Sequence, residues 1–106
     1  AEDIDLIAEE SRSMLRQAIE AVHTDNADLA KGTMAMADQV ERSFDRLLND
    51  LLRPGEAEHR SLKDNLALFV VASHLERVSD QAKNICEDVV FTVTGEEKPQ
   101  KVYRIL

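Results

Sequence analysis

The stretch VASHLERVSDQAKNICEDVVFTV, residues 71–93, decides the fold of this 106-residue chain. Its apolar residues return every three or four positions, as in the seam of a coiled coil. The predicted seam is Val71, Leu75, Val78, Ala82, Ile85, Val89 and Val93, widened by Phe69, Val70, Cys86 and Val90. An apolar face of this width is typical of a helix that packs against two neighbours. We therefore predict a long helix that begins near Glu56 or Glu58 and ends at Thr94, before Gly95.

Two further helices precede this one. The first is predicted from Asp3 to Val22, and the second from Ala27 to Leu52, with Thr24, Asp25 and Asn26 as candidate caps. Their apolar faces are Ile4, Ile7, Met14, Ala18 and Val22 in the first, and Leu29, Thr33, Ala37, Val40, Phe44, Leu47 and Leu51 in the second. Since short loops join helices that lie antiparallel, we predict an all-α, up-down-up three-helix bundle.

Composition supports this fold class and excludes several functions. Three glycines, two prolines and an aromatic content of 4% are typical of a chain that is nearly all helix. The net charge of −8 argues against binding to nucleic acid or to an anionic lipid surface. No apolar run is long enough to span a membrane, and no secretory segment is visible at the start, although processing can remove such a segment. Cys86 is the one cysteine, which excludes an internal disulfide and a zinc site built from cysteines.

The end of the chain differs from the rest. Residues 96–101 are polar and contain a proline, and residues 102–106 favour a strand. We therefore expect a helical domain over residues 1–95, followed by a linker and the start of a possible further domain over residues 96–106. We also expect that the last eleven residues are not part of the bundle.

Acidic side chains beside the long seam form the candidate functional site. Glu76 and Asp80 are four residues apart and thus share one face of the third predicted helix. Asp38, Glu41 and Asp45 have similar spacing on the second and can face this pair if the two helices are adjacent. Carboxylates at such a boundary need a partner, and both an arginine from a neighbouring helix and a metal ion fulfil that role. Oxygen ligands favour iron, magnesium or manganese.

Other reactive side chains do not form a recognisable catalytic set. His23 and His59 lie near predicted helix ends, and His74 does not share the face of Glu76. Cys86 lies within the apolar seam, where it is expected to act as a small buried residue. We therefore expect that this chain alone is not an enzyme.

Residues 75–87, LERVSDQAKNICE, resemble the pattern LERIGDHAxNIAE of the PhoU family of phosphate-signalling proteins. The Val-Thr-Gly at residues 93–95 matches the usual end of that helix, and residues 38–41 resemble a second family segment. The resemblance covers about residues 3–95. Ser79 and Gln81 depart from it, since the family usually has a glycine or alanine and a histidine at these positions.

The resemblance implies a regulator that restrains phosphate uptake at the cytoplasmic face of the membrane. The implied partners are the phosphate transporter and a sensor histidine kinase. Family members usually carry two three-helix units, so a single unit is expected to form a homodimer of six helices. Some members bind iron or zinc through a motif that corresponds to Glu76 and Asp80, with Asp38 and Glu41 as further candidate ligands. The substitution of histidine by Gln81 leaves the identity of the metal open.

A second resemblance concerns the last five residues. Residues 102–106, VYRIL, are similar to the first strand of low-molecular-weight phosphotyrosine phosphatases and arsenate reductases. In those enzymes the strand leads into a Cys-x5-Arg phosphate loop. The alternative function is therefore an N-terminal accessory or dimerisation domain of such an enzyme.

Overall fold

The computed structural model of the chain describes residues 2–53, 55 and 60–95. These residues form four helices: α1 (Glu2–Thr24), α2 (Ala27–Ala35), α3 (Ala37–Leu52) and α4 (Leu62–Thr94). Since a single residue separates α2 from α3, the two form one interrupted arm, and the predicted all-α three-helix bundle is confirmed. The predicted linker and possible further domain, residues 96–106, lie outside the described residues.

The corner between α1 and α2 is closed by backbone and side-chain hydrogen bonds. Asp25 adopts a left-handed backbone conformation with φ of 50°. The Asn26 N–H donates to the carbonyl oxygen of Ala21 at 3.0 Å, and the Asp25 N–H to that of Val22 at 3.5 Å. This is the pattern of a Schellman motif, which usually has glycine where Asp25 stands. Asn26 also caps α2, because its Oδ1 accepts from the Leu29 N–H at 2.9 Å.

The second predicted helix is interrupted at Met36, and its prediction as a continuous helix was wrong there. The Met36 N–H donates to the Thr33 carbonyl oxygen at 3.0 Å, a bond across three residues instead of four. The Thr33 hydroxyl lies 2.8 Å from the Leu29 carbonyl oxygen, a contact that often bends helices. Gly32, in the same turn, lowers the helix propensity by about 1 kcal/mol relative to alanine.

The long helix begins later than predicted. Its first residue is Leu62 and not Glu56 or Glu58, because Ser61 supplies the N-cap. The Ser61 Oγ accepts from the Asp64 N–H at 3.1 Å. A serine followed three residues later by an acid is a sequence signal for such a start. The predicted end is confirmed, since Gly95 is left-handed with φ of 76° and its N–H donates to the Phe91 carbonyl oxygen at 2.8 Å.

Packing between α1 and α4 forms the centre of the bundle. The Ser79 hydroxyl of α4 lies 3.1 Å from the Met14 sulfur of α1, and both residues are buried. Further along, Val22 lies beside Ile85 and Val89. Contacts that advance together along both helices show that α1 and α4 run parallel, as an up-down-up order requires.

The buried face of α4 overlaps the predicted apolar face but is rotated toward one edge of it. Ala82, Cys86, Val89 and Val90 are buried as predicted. Val71 and Val93 are 48% and 42% exposed, and Phe69 and Val70 are also exposed, so their prediction as core residues was wrong. On α1, Val22 is exposed as well. The buried residues of α4 are Ala72, Ser79, Ala82, Cys86, Glu87, Val89 and Val90. Most side chains of this face are small, which allows α1 to lie close to α4, as the contact of Ser79 with Met14 shows. The sequence pattern instead favoured the larger valines as core residues.

The apolar face of the second arm is confirmed. Thr33, Val40, Leu47 and Leu51 are buried. Leu29, Ala37 and Phe44 are partly buried against the same core. The rings of Phe44 and Phe69 have centroids 6.3 Å apart, so Phe69 contacts α3 from the edge of α4.

Candidate functional site

Glu76 lies at the boundary between α3 and α4 among other acids. The pKa of its carboxyl is raised, first by burial and then by the charges of Asp80, Glu41 and Asp45. Asp80 is one turn away on α4, and Glu41 and Asp45 are on α3. We call Glu41, Asp45, Glu76 and Asp80 the carboxylate cluster.

Of the four acids predicted as metal ligands, two lie within electrostatic range of the third, Glu76, and the fourth, Asp38, does not act on it. Glu41 comes within electrostatic range of Glu76, together with Asp80. Asp38, one turn before Glu41, is exposed and is not among the charges that raise the pKa of Glu76. Asp45, by contrast, is one of the charges that raise the pKa of Glu76. It lies on the same face of α3 as Glu41, one turn further along the helix. The spacing of four between Glu41 and Asp45 was the sequence signal for this position.

An arginine partner for Glu76 is not what the structure favours. The neighbouring charges that shift its pKa are all carboxylates. On α3, Arg46 donates to the Ser43 Oγ at 2.9 Å, and Asp50 pairs with Arg53 at 3.1 Å. The carboxylate cluster is thus a concentration of negative charge between two helices.

The carboxylate cluster has the right kind of ligand atoms for a metal ion but not the spacing. Carboxylate oxygens are the ligands of hard cations such as magnesium, manganese and iron. Over residues 2–53, 55 and 60–95, however, no three His, Cys, Asp or Glu side chains are grouped closely enough to hold an ion. A complete ligand set therefore requires movement of these side chains or donors from elsewhere.

Cys86 and Glu87 lie in the core below this surface. Burial, with a smaller effect of the Glu87 charge, raises the pKa of the Cys86 thiol. A protonated, buried thiol is a poor nucleophile, which agrees with the small apolar role predicted for it. Glu87, the next residue, is buried as well.

Two apolar depressions lie on the surface of the bundle. The α1–α4 groove has a volume of about 250 Å³ and is lined by Val22, Asp25, Ile85, Asp88, Val89, Thr92 and Val93. The hairpin groove, at the end where α3 leads into α4, has a volume of about 570 Å³. Its lining residues are Leu48, Leu51, Leu52, Leu62, Asn65, Leu66 and Phe69. Among the helices that the structure describes, none is long and apolar enough to cross a membrane.

Comparison with known proteins confirms the resemblance found in the sequence. The profile of the PhoU domain matches residues 4–89, which include parts of all four helices. No solved structure matches the chain significantly. Three similar proteins are each named as a homologue of the phosphate-specific transport system accessory protein PhoU.

These relatives are longer than the chain. The Clostridium acetobutylicum protein is 30% identical over 87 residues, which are 81% of this chain and 39% of the relative. The Pseudomonas putida protein is 30% identical over 84% of this chain and 35% of its own length. The Methanothermobacter thermautotrophicus protein is 28% identical over 91% and 44%. The chain thus spans less than half of each of these relatives, and over the residues that they share it belongs to the PhoU domain family.

Proposed function

We propose that this chain is a non-enzymatic regulatory module of phosphate transport. In this role it restrains phosphate uptake through contacts with the phosphate transporter or its sensor kinase in the cytoplasm. The observation that carries the proposal is the family match over residues 4–89, together with relatives named as phosphate transport accessory proteins. The acidic surface is unsuited to tight binding of phosphate itself, so the proposed action is through protein contacts.

Uptake of labelled phosphate tests this role. Cells that lack the gene are expected to take up more phosphate than the parent strain when phosphate is abundant. The gene returned on a plasmid is expected to restore the lower rate. Unchanged uptake in the deletion strain would contradict the proposal.

We also propose that the module forms a homodimer through the side where α1 and α4 lie together. Val22 and Val71 are exposed there, at the edge of the seam. Val78 and Ile85 continue this line at intervals of seven residues and are partly buried. Apolar side chains that remain exposed along such a line often mark an interface.

Sedimentation velocity at increasing concentration tests the dimer. The wild-type protein is expected to dimerise in the micromolar range, and Val71→Glu to remain monomeric. Leu62→Glu places the same charge at an exposed apolar position of the hairpin groove. This variant is the matched control and is expected to dimerise normally. A wild-type monomer at high micromolar concentration would contradict the proposal.

A metal-dependent form of this function is supported by the carboxylate cluster. We propose that Glu76 and Asp80 bind iron, zinc, manganese or magnesium, with Glu41 and Asp38 as further ligands after side-chain movement. The raised pKa of Glu76 among other acids supports this, because a cation would relieve their mutual repulsion. Elemental analysis of the wild-type protein and of the double variant Glu76→Gln, Asp80→Asn tests it. Equal metal content in both would exclude the site, and Glu9→Gln controls for loss of an exposed acid elsewhere.

The alternative, an accessory domain of a low-molecular-weight phosphatase or arsenate reductase, depends on residues 102–106. These residues lie outside the described part of the chain, and the alternative stays a prediction. The coding sequence after Leu106 tests it. A Cys-x5-Arg motif encoded directly after this residue would favour the alternative.

A further inference from the structure

The helix α2 buries fewer side chains than the other three helices of the bundle. Of its nine residues only Ala30 and Thr33 are buried, while Leu29 and Met34 are partly buried. Gly32 lies in the middle of α2, and a methyl group added there would meet no atom of the other described helices within 4 Å. The glycine thus lowers helix propensity although packing does not require it. A helix this short is stable only through its neighbours, so α2 is the weakest element of the bundle.

Breaks in the hydrogen-bond pattern separate α2 from both of its neighbours in the chain. Before it, the left-handed Asp25 follows the end of α1, and Asn26 starts α2 as its N-cap. After it, the Met36 carbonyl oxygen accepts from the Gln39 and Val40 N–H groups at 3.1 and 3.2 Å, so the backbone bonds of α3 begin at Met36. Neither α1 nor α3 therefore needs the helical bonds of α2. A unit bounded in this way can open while the rest of a protein stays folded.

A carboxylate is buried beneath α2. Glu76 of α4 lies opposite Glu41 and Asp45 of α3, and the arm of α2 and α3 runs antiparallel to α4. Glu87 follows Glu76 by eleven residues, about three turns, on the same face of α4. Equal steps in the opposite direction lead from residues 41–45 to residues 30–34, so α2 covers Glu87, which is 5% exposed. Burial of a charge opposes packing even where the charge has a partner, and this cost is removed when α2 opens.

We propose that α2 is a lid that unfolds locally while α1, α3 and α4 stay packed, and that its opening exposes Cys86 and Glu87 to solvent. Cys86 is fully buried in the closed form. The lid is held closed through the Thr33 hydroxyl, which lies 2.9 Å from Oε1 of Gln17 on α1, within hydrogen-bond distance. The buried residues of α3 keep the rest of the arm in place when the lid opens. The open form presents a face of α1 and α4 that the closed bundle hides.

The one cysteine of the chain reports the opening of the lid. Cys86 is labelled in the intact protein with Ellman's reagent at mildly alkaline pH, at several urea concentrations below the unfolding transition. We expect labelling without urea, at a rate that depends much less on urea than global unfolding does, because a local opening exposes little surface. Labelling that occurs only with the full urea dependence of global unfolding would overturn the proposal.

Two variants separate the lid from the rest of the bundle. Gly32→Ala is expected to slow labelling of Cys86 about fivefold, because alanine favours the helix by about 1 kcal/mol and about 1.4 kcal/mol corresponds to a factor of ten. Ala67→Gly makes the reverse change at an exposed position of α4 and is the matched control. It is expected to lower the stability of the whole bundle and to leave the labelling rate unchanged. Labelling of Ala67→Gly that is faster by the factor of its global destabilisation would overturn the proposal.

Hydrogen exchange followed by mass spectrometry locates the opening. The amides of α2 are expected to exchange at least tenfold faster than those in the middle of α4, over residues 72–90, because only the lid opens below the global unfolding transition. The amides of α3 are expected to be protected like those of α4. Equal protection of α2 and the middle of α4 would overturn the proposal. Fast exchange of α2 and α3 together would show that the whole arm opens, with the same consequence.

Discussion

Two valines on α4 provide a direct test of which face of this helix is buried. Val90 is 9% exposed and Val71 is 48% exposed, although both were predicted to lie on the buried apolar face. Replacement by alanine removes the same two methyl groups from each, worth about 0.8 kcal/mol per buried carbon. Alanine also raises helix propensity by about 0.5 kcal/mol at both positions, so this contribution cancels in the comparison.

We expect Val90→Ala to lower the free energy of unfolding by about 1–2 kcal/mol, including the cavity that it leaves. Val71→Ala is expected to change it by no more than about 0.5 kcal/mol. Urea unfolding followed by circular dichroism, at low micromolar protein, measures both. An effect of Val71→Ala as large as that of Val90→Ala would show that α4 is rotated toward the predicted seam. If the effect of Val71→Ala grows with protein concentration, it belongs to the proposed dimer and not to the core.

Three further changes test local features of the bundle. The pKa of Glu76 is raised above 4.5 in the folded protein, so ionisation of this carboxyl lowers the free energy of unfolding. This penalty is absent at low pH, where the carboxyl is protonated, and grows as the pH rises. Glu76→Gln is therefore expected to be more stable than wild type at pH 7, by less than about 1 kcal/mol for this partly exposed group, and equal to it below about pH 4 in thermal unfolding. Asp25→Gly is expected to raise stability by about 0.5 kcal/mol, because glycine adopts the left-handed conformation of this corner without strain; a lower melting temperature would contradict this. Both carboxylate oxygens of Glu10 are buried and have no hydrogen-bond partner among the residues that the structure describes, so Glu10→Leu is expected to stabilise the protein by about 1–2 kcal/mol against urea, and a loss of stability would reveal a partner.

Periodicity predicted the helices well because their buried residues recur at helical spacing. The caps at Asn26 and Gly95 were predictable because each one depends on hydrogen bonds to residues within one helical turn. The rotation of α4 was not predictable in this way, because Ala72 and Ser79, which the predicted seam omits, are small and carry little weight in an apolar pattern. Their burial depends on how closely α1 approaches, which is a property of the packed bundle and not of one helix.

The candidate site shows a similar division. Spacing along each helix predicted that Glu76 shares a face with Asp80, and Glu41 with Asp45, and the charges of the other three acids raise the pKa of Glu76. Which acids of α3 act on Glu76 depends on how far the two helices are shifted along each other, and this shift favours Asp45 over Asp38. The hairpin groove had no sequence signal of its own, because Leu62 and Leu66 are apolar in the same way as core residues.

The pairing of the first and last helices has a consequence for how the protein folds. Met14 and Ser79, which meet at the centre of the bundle, are 65 residues apart in the chain. Closing a loop of that length opposes folding by about 4 kcal/mol in chain entropy, before the contact is formed. Helical proteins usually fold quickly because most of their contacts are local, but here the central interface is not. During synthesis, α1 leaves the ribosome before its main packing partner, and its apolar side stays uncovered until α4 has been synthesised. The bundle can close only when most of α4 has emerged, however early each helix forms by itself.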